Sequence, residues 1–276
     1  MALNKGQKWL ADESERNTIK HLADVEKYMT SIDAAYQQIF NDFAKEVKSL
    51  LKVIESLNLT EAEKVKYLLQ LDRYKRLMIQ MDGNLKELNS EVSTNLKELF
   101  RGYFEETVEN QSKALAEVLG KEIDMSKFSF LDTSSIDMAI TYNWQHYDFE
   151  TALNQTSRLG DSVNKAIANG IAKGSSIPKI MKELMETAGL ASFYAKRIAR
   201  TETARIINDA TKKTYQEMEV DRVQWNDAPE LNRNAPCPVC RARNGKVYKL
   251  GDEPSLPAHP HCRCCLVAYS VKGEKL

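Results

Sequence analysis

Five cysteines crowd the C-terminal end of a 276-residue chain: Cys237, Cys240, Cys262, Cys264 and Cys265. They fall in two strings, Pro236-Cys237-Pro238-Val239-Cys240 and His259-Pro260-His261-Cys262-Arg263-Cys264-Cys265. A C-x-x-C lets two thiolates approach one ion from a tight turn. A second pair, H-x-x-C or C-x-C, arriving from a distant turn completes a tetrahedron. Eighteen residues separate Cys240 from His259, which leaves room for a hairpin between the two knuckles. The spacing favours a closed, structural zinc site over a catalytic one. Five candidate ligands, Cys237, Cys240, His259, Cys262 and Cys264, compete for four positions, so one of them stands outside the inner set. Cys265 points to the opposite face if this stretch is a strand, and His261 is the weaker histidine candidate.

Other chemistries of the same residues fit less well. Disulfides need an oxidising compartment. The N-terminus, MALNKGQKWL, lacks the apolar core of a signal peptide, and an odd cysteine count leaves one thiol over. Nothing marks a single activated thiol, as a Cys-His nucleophile would require. The string Pro-Cys-x-x-Cys also occurs in zinc deaminases, which need an upstream His-x-Glu. Here His21 is followed two residues on by Ala23, and His146 by Asp148. Reduced, simply packed thiols remain the main competitor to zinc. There is no G-x-S-x-G, no P-loop and no H-E-x-x-H elsewhere in the chain.

The elements that must position these residues are unevenly composed. Six of the seven prolines lie between Pro229 and Pro260, and the first 177 residues hold neither proline nor cysteine. The 39 basic and 39 acidic side chains cancel, which argues against wholesale nucleic-acid binding but not against a local basic patch. The balance is not uniform: residues 190–276 carry 15 basic and 10 acidic groups, so the C-terminal third is mildly basic. No stretch approaches 18 consecutive apolar residues, so no membrane-spanning segment is expected.

The Pro-free part reads as long helices. Leu22, Val25, Met29, Ile32, Tyr36, Ile39, Phe43, Val47, Leu50 and Ile54 recur at steps of three and four, a heptad seam with one extra residue. A helical hairpin burying its own seam explains this better than an oligomerisation helix. That helix should stop near Asn58, and Thr60 with Glu63 forms a capping box for the next. The second helix carries Val65, Leu68, Leu69, Met78, Met81, Leu85 and Leu88. A third runs from Glu91 to Leu119, with Gly120 as its stop.

Residues 121–135 read as loop or short turns, and Ile136 to Gly170, with Trp144, Tyr147 and Phe149, as helical again. Lys173-Gly174-Ser175-Ser176 forms a turn and N-cap before a helix with Pro178 in its first turn, ending near Gly189. Another helix spans Ala191 to Met218. Its basic residues Lys196, Arg197, Arg200, Arg205, Lys212 and Lys213 alternate with acids and read as a solvated face rather than a DNA surface. Arg222–Trp225, Lys246–Leu250 after the hairpin signal Asn244-Gly245, and Leu266–Tyr269 are strand candidates bracketing the cysteines. The expected fold is mainly α with a small α+β C-terminal domain: long N-terminal helices over 1–120, then a domain over 121–276. Its Cys/His module, at 222–270, pins a short antiparallel sheet.

Read together, these motifs resemble a known family. His259-Pro260-His261-Cys262-Arg263-Cys264, preceded by Cys237-x-x-Cys240 and Asn244-Gly245-Lys246-Val247, is similar to the C-terminal signature of phage head-morphogenesis proteins, the Mu F-like minor head proteins. Ile167-Ala168-Asn169-Gly170-Ile171-Ala172-Lys173-Gly174 resembles the family's I-x-x-G-I-x-x-G, and Arg197-Ile198-Ala199-Arg200-Thr201-Glu202 its R-I-A-R-T-E helix. The resemblance covers about residues 140–270. The chain departs from the pattern at Arg233-Asn234-Ala235-Pro236, where relatives often have Asp-x-Arg, and in the extra thiol of Cys265. The resemblance implies a non-enzymatic minor capsid protein of a tailed phage, a structural and assembly factor. Its implied partners are the portal protein, the major capsid protein or scaffold, and packaged double-stranded DNA through weak, non-specific contacts. Its implied place is the virion, in the head interior near the portal, and the host cytoplasm during assembly. The competing reading is a zinc-dependent nuclease or toxin-like phage effector, suggested by the two histidines and the mild basic excess.

Overall fold

The computed structural model describes residues 4–141, 149–155, 159–228 and 237–276. Trp144, His146 and Tyr147, and the stretch 229–236 with Pro229 and Arg233-Asn234-Ala235-Pro236, lie outside the described residues. The chain is mainly helical and ends in a small antiparallel sheet beside the Cys/His cluster, as its composition predicts.

Helix α1 spans Lys5–Glu55 and begins well before the seam. Leu22, Val25, Met29, Ile32, Tyr36, Phe43, Val47, Leu50 and Ile54 are all buried. Ile39 is only half-buried, and Phe40 takes its place in the core. A seam with one extra residue can admit either neighbour, and the aromatic ring removes more apolar surface from water. Helix α2 (Glu61–Gln70) opens on the expected box: Glu63 N–H donates to Thr60 Oγ1 at 3.4 Å, and Thr60 N–H to a Glu63 carboxylate oxygen at 2.8 Å. The next break falls at Leu71, whose backbone is extended, rather than at Glu91. Helix α3 therefore runs uninterrupted over Asp72–Leu119, and Gly120 ends it in the left-handed conformation.

Two short turns at Met125–Lys127 and Ser129–Leu131 precede α4 (Thr133–Thr141), α5 (Phe149–Gln155) and α6 (Leu159–Ala172). Helix α7 covers Ile177–Glu217 in one piece, so Gly189 does not stop it. A lone glycine costs a helix about 1 kcal/mol but removes no hydrogen bond, and neighbouring residues carry the helix through.

The chain forms two compact units, each of non-contiguous segments: 1–27, 96–146 and 197–276 in one, 28–95 and 147–196 in the other. In the second unit the Tyr36 hydroxyl donates to Asn89 Oδ1 at 2.5 Å, and Asn89 Nδ2 donates to the Leu153 carbonyl at 3.1 Å. Gly170 in α6 lets Ile180 of α7 approach closely; a Cβ there would lie 2.6 Å from an Ile180 side-chain carbon.

In the first unit, β1 (Val220–Asn226), β2 (Val247–Lys249), β3 (Cys265–Val271) and β4 (Glu274–Lys275) make an antiparallel sheet in the order β2-β1-β3-β4. The two-residue turn Lys272-Gly273, both with positive φ, closes a hairpin that adds β4, a strand the sequence pattern did not reveal. Asn244-Gly245 is not a hairpin turn: it ends the short helix α8 (Pro238–Arg243), with the Asn244 N–H bonded to the Cys240 and Arg241 carbonyls. The sheet packs its buried face, including Val223, Trp225, Leu266 and Ala268, in one core with Leu10, Leu115, Tyr215 and three of the cysteines.

Ile180 is 2% exposed and has nowhere to move. Gly170→Ala should therefore destabilise the protein by about 1–3 kcal/mol through overpacking. Gly189 is solvent-exposed with nothing within 4 Å of an added Cβ. Gly189→Ala should stabilise the protein by about 0.5–1 kcal/mol. Urea unfolding of the two variants against the parent checks both signs.

Candidate metal centre

The two cysteine strings fold into two tight turns that face each other. In the first, Cys237 caps α8: its Sγ accepts from the Cys240 N–H at 3.4 Å, and Pro238 supplies the fixed φ of the first helical position. Cys237 and Cys240 thus lie on one side of the cap. In the second, the Cys262 N–H donates to the His259 carbonyl at 3.0 Å, closing a turn with Pro260 and His261 at its centre. His261 has φ +64, the left-handed value that this turn type demands after proline. The turn places His259 and Cys262 three residues apart, both directed at the first knuckle.

All five predicted ligands meet here. His259 Nε2 lies 3.1 Å from Cys237 Sγ and 3.2 Å from Cys240 Sγ, and Cys240 Sγ lies 3.9 Å from Cys262 Sγ. Two triads, Cys237–Cys240–His259 and Cys240–Cys262–Cys264, each hold their ligand atoms within 4.8 Å of one another, with Cys240 common to both, and could hold a metal ion. A tetrahedral zinc about 2.3 Å from sulfur and about 2.0 Å from nitrogen separates its ligand atoms by roughly 3.5–3.8 Å, and each triad could supply three such ligands. His259 Nδ1 lies 2.8 Å from the Pro260 carbonyl. A proton on Nδ1 directed to that oxygen leaves the Nε2 lone pair toward the thiols, the tautomer a metal ligand needs. Cys265 is buried on β3 and belongs to neither triad; His261 likewise joins neither.

The thiols shift one another's ionisation in opposite directions. A hydrogen bond with Cys264 brings the Cys262 thiol down to about 5 against its burial. The same bond, then burial, pushes Cys264 up. Burial, the Cys237 thiol and the Cys262 charge push Cys240 up to about 12. A divalent cation would stabilise the thiolates that burial and neighbouring thiols disfavour, those of Cys240 and Cys264.

Helix α7 positions the second knuckle. The His261 N–H donates to Thr201 Oγ1 at 3.3 Å, and Asn208 Nδ2 donates to the Cys264 carbonyl at 3.1 Å. The expectation of a solvated basic face fails in this part of the helix, because Glu202 and Arg205 are buried. Arg205 Nε donates to Glu202 Oε2 at 2.7 Å, and its two terminal nitrogens donate to the Ala139 and Ile140 carbonyls at 2.8 and 3.0 Å. Burial raises the Glu202 pKa, and Arg205 offsets only part of that shift. Arg200 pairs instead with Glu26, so Arg200 and Glu202 belong to separate ion pairs. The importance of Arg205 was hidden because charge alternation cannot distinguish a buried pair from a wet one. The remaining described histidine, His21, is a core residue stacked on Tyr103 at 4.4 Å, with its pKa lowered to about 4 by burial.

A helical body with a four-stranded antiparallel sheet, the sheet bordered by two facing Cys/His knuckles, defines a small cysteine-histidine domain built onto long helices. Residues 161–267, from α6 into β3, match the family described as Phage Mu protein F like protein. The match contains the glycine motif around Gly170, the Arg197–Glu202 helix segment and both knuckles. No curated protein and no solved structure matches the chain. Among the described residues no helix is long and apolar enough to cross a membrane.

Arg205→Ala should destabilise the protein by about 3–5 kcal/mol, since it leaves Glu202 buried without its counter-charge and two carbonyls without donors. Arg205→Met combined with Glu202→Leu should recover much of that loss. Denaturant midpoints of the single and double variants check the pair.

Proposed function

We propose that this chain is a structural and assembly component of a tailed-phage head, a minor capsid protein acting at the portal and inner capsid surface without enzymatic activity of its own. The observation that carries the reading is the family match over 161–267, which coincides with the segment holding α7, the sheet and the knuckles. In this reading the division near residue 120 is one of role, since the compact units interleave chain from both sides of it. The helices of 1–120 serve the docking to portal, capsid or scaffold, and 121–276 is the head-morphogenesis domain. The protein is made in the host cytoplasm and ends in the head interior.

Weak contact with packaged DNA belongs to the same reading. Burial lowers the His261 pKa, and Arg200, Arg197 and Arg263 lower it further, so the outer side of the second knuckle is locally positive. Such a patch neutralises phosphates without reading bases.

The inner metal set is proposed as Cys237, Cys240, His259 and Cys262, with Cys264 donating to the Cys262 thiolate from outside. This choice follows the short distances from Cys240 to His259 and Cys262. Bound zinc would neutralise the thiolates and tie the two knuckles together, stabilising the fold rather than reacting.

Mass spectrometry of purified virions and proheads should find the protein at a fixed copy number together with portal protein. Absence from both particles would overturn the structural role. Elemental analysis should give about one zinc per chain. Cys237→Ser should lose the metal and lower the unfolding midpoint, while Cys265→Ala retains the metal. Zinc-free protein of unchanged stability would refute the site.

A further inference from the structure

The Cys/His cluster holds one more donor than a tetrahedral ion uses. The surplus thiol has a defined place. Cys240 belongs to both triads, Cys237–Cys240–His259 and Cys240–Cys262–Cys264. The fifth donor, Cys264, therefore keeps its Sγ within 4.8 Å of two thiols of the inner set.

His259 and Cys264 differ in how firmly the fold holds them. Cys240, Cys262 and Cys264 are 3%, 2% and 2% exposed. His259 is only half-buried, and Pro260 beside it is exposed. The main chain divides the same way. The Cys264 carbonyl accepts from Asn208 Nδ2 at 3.1 Å, and the next residue, Cys265, pairs with Asn226 of β1. Cys264 is thus fixed between α7 and the sheet. His259 stands at the far end of a turn whose centre includes His261, a non-glycine residue in the left-handed region. Cys262 lies between them and is common to either arrangement.

Counting donors by knuckle decides which exchange the site permits. Replacing His259 by Cys264 leaves two ligands on each side, a C-x-x-C from α8 facing a C-x-C from the second string. Replacing Cys237 by Cys264 would leave Cys240 as the single ligand from α8 and would loosen the tie between the knuckles. Cys237 is therefore required in both sets, and His259 in one. Zinc accepts thiolate and imidazole alike, so the coordination number is kept. The four-thiolate set places one more negative charge in a buried site, which favours the His259 set at rest and leaves Cys264 protonated.

Resting on the zinc reading of this cluster, we propose that Cys264 is a reserve ligand that exchanges with His259, so that the half-buried turn can open without loss of the metal. In the exchange the bond from the metal to His259 Nε2 breaks, the bond to Cys264 Sγ forms, and the Cys264 thiol proton passes to solvent. Both knuckles stay tied throughout.

Competition for zinc between a chelator and the full-length protein tests this, with His259→Ala, Cys264→Ser and the double variant compared against the parent. Helical circular dichroism checks that each is folded, and His259→Gln, which keeps the side-chain bulk, repeats the comparison should alanine disturb the turn. His259→Ala should weaken zinc binding by less than about tenfold, and Cys264→Ser alone by no more than that; the double variant should lose a further factor of about 100. With cobalt(II) in place of zinc, the sulfur-to-metal charge-transfer absorption of His259→Ala should exceed that of the parent by about one third, as four thiolates replace three. A parent that binds zinc tightly, with His259→Ala as weak as the double variant, would overturn the reserve ligand and leave the metal site standing. Unchanged thiolate absorption in cobalt-loaded His259→Ala would do the same. A parent that binds no zinc would overturn both.

Discussion

The lower half of α7 must be buried although it is polar. From Ala199 to Tyr215 nearly every position lies inside the first unit, including Thr201, Glu202, Thr203, Arg205, Asn208, Thr211 and Thr214. A buried helix is ordinarily apolar all round, because each unpaired polar group would cost more than its burial gains. Here the side chains find their own acceptors. The threonine hydroxyls bond back to carbonyls four residues earlier. Arg205 meets a carboxylate and two main-chain oxygens, and Asn208 meets a carbonyl of the cysteine string. The second knuckle and the α4 terminus are held to this one helix by hydrogen bonds that apolar contact could not specify.

The thiol cluster depends on that arrangement. Each knuckle is locally encoded: Pro238 sets a helix cap that directs Cys237 and Cys240 together, and Pro260 sets a turn that directs His259 and Cys262 together. Neither pair makes a centre alone. Thr201 and Asn208 fix the second knuckle on α7, and the antiparallel pairing of β1 with β3 and of β1 with β2 fixes it relative to α8. The result is two triads that share Cys240, each with its ligand atoms within 4.8 Å of one another, which could hold a metal ion.

Much of this was legible in advance where a local rule suffices. The capping box at Thr60 and Glu63, the stop at Gly120, the turn before Pro178 and the three principal strands follow from side-chain chemistry within a few residues. Errors came where two local options were nearly equal. Ile39 and Phe40 both satisfy the seam, and packing chose the ring. Gly189 weakens a helix by too little to end it, whereas Leu71 breaks one without any glycine or proline. Asn244-Gly245 carries the composition of a hairpin turn but serves a helix terminus, since both need a chain reversal and only the flanking pairing distinguishes them.

The sequence by itself determined which residues could bind a metal, how each pair is presented, and the helical character of most of the chain, because these depend on spacing and on residues close together. Tertiary structure alone decided which charges are buried. Arg205 and Arg200 are five residues apart on one helix, yet one is sealed against carbonyls and the other pairs at the surface with Glu26. It also decided that Asn208 Oδ1 would be buried without a hydrogen-bond donor among the described residues. Burial is a property of everything packed around a residue, and no local pattern contains it.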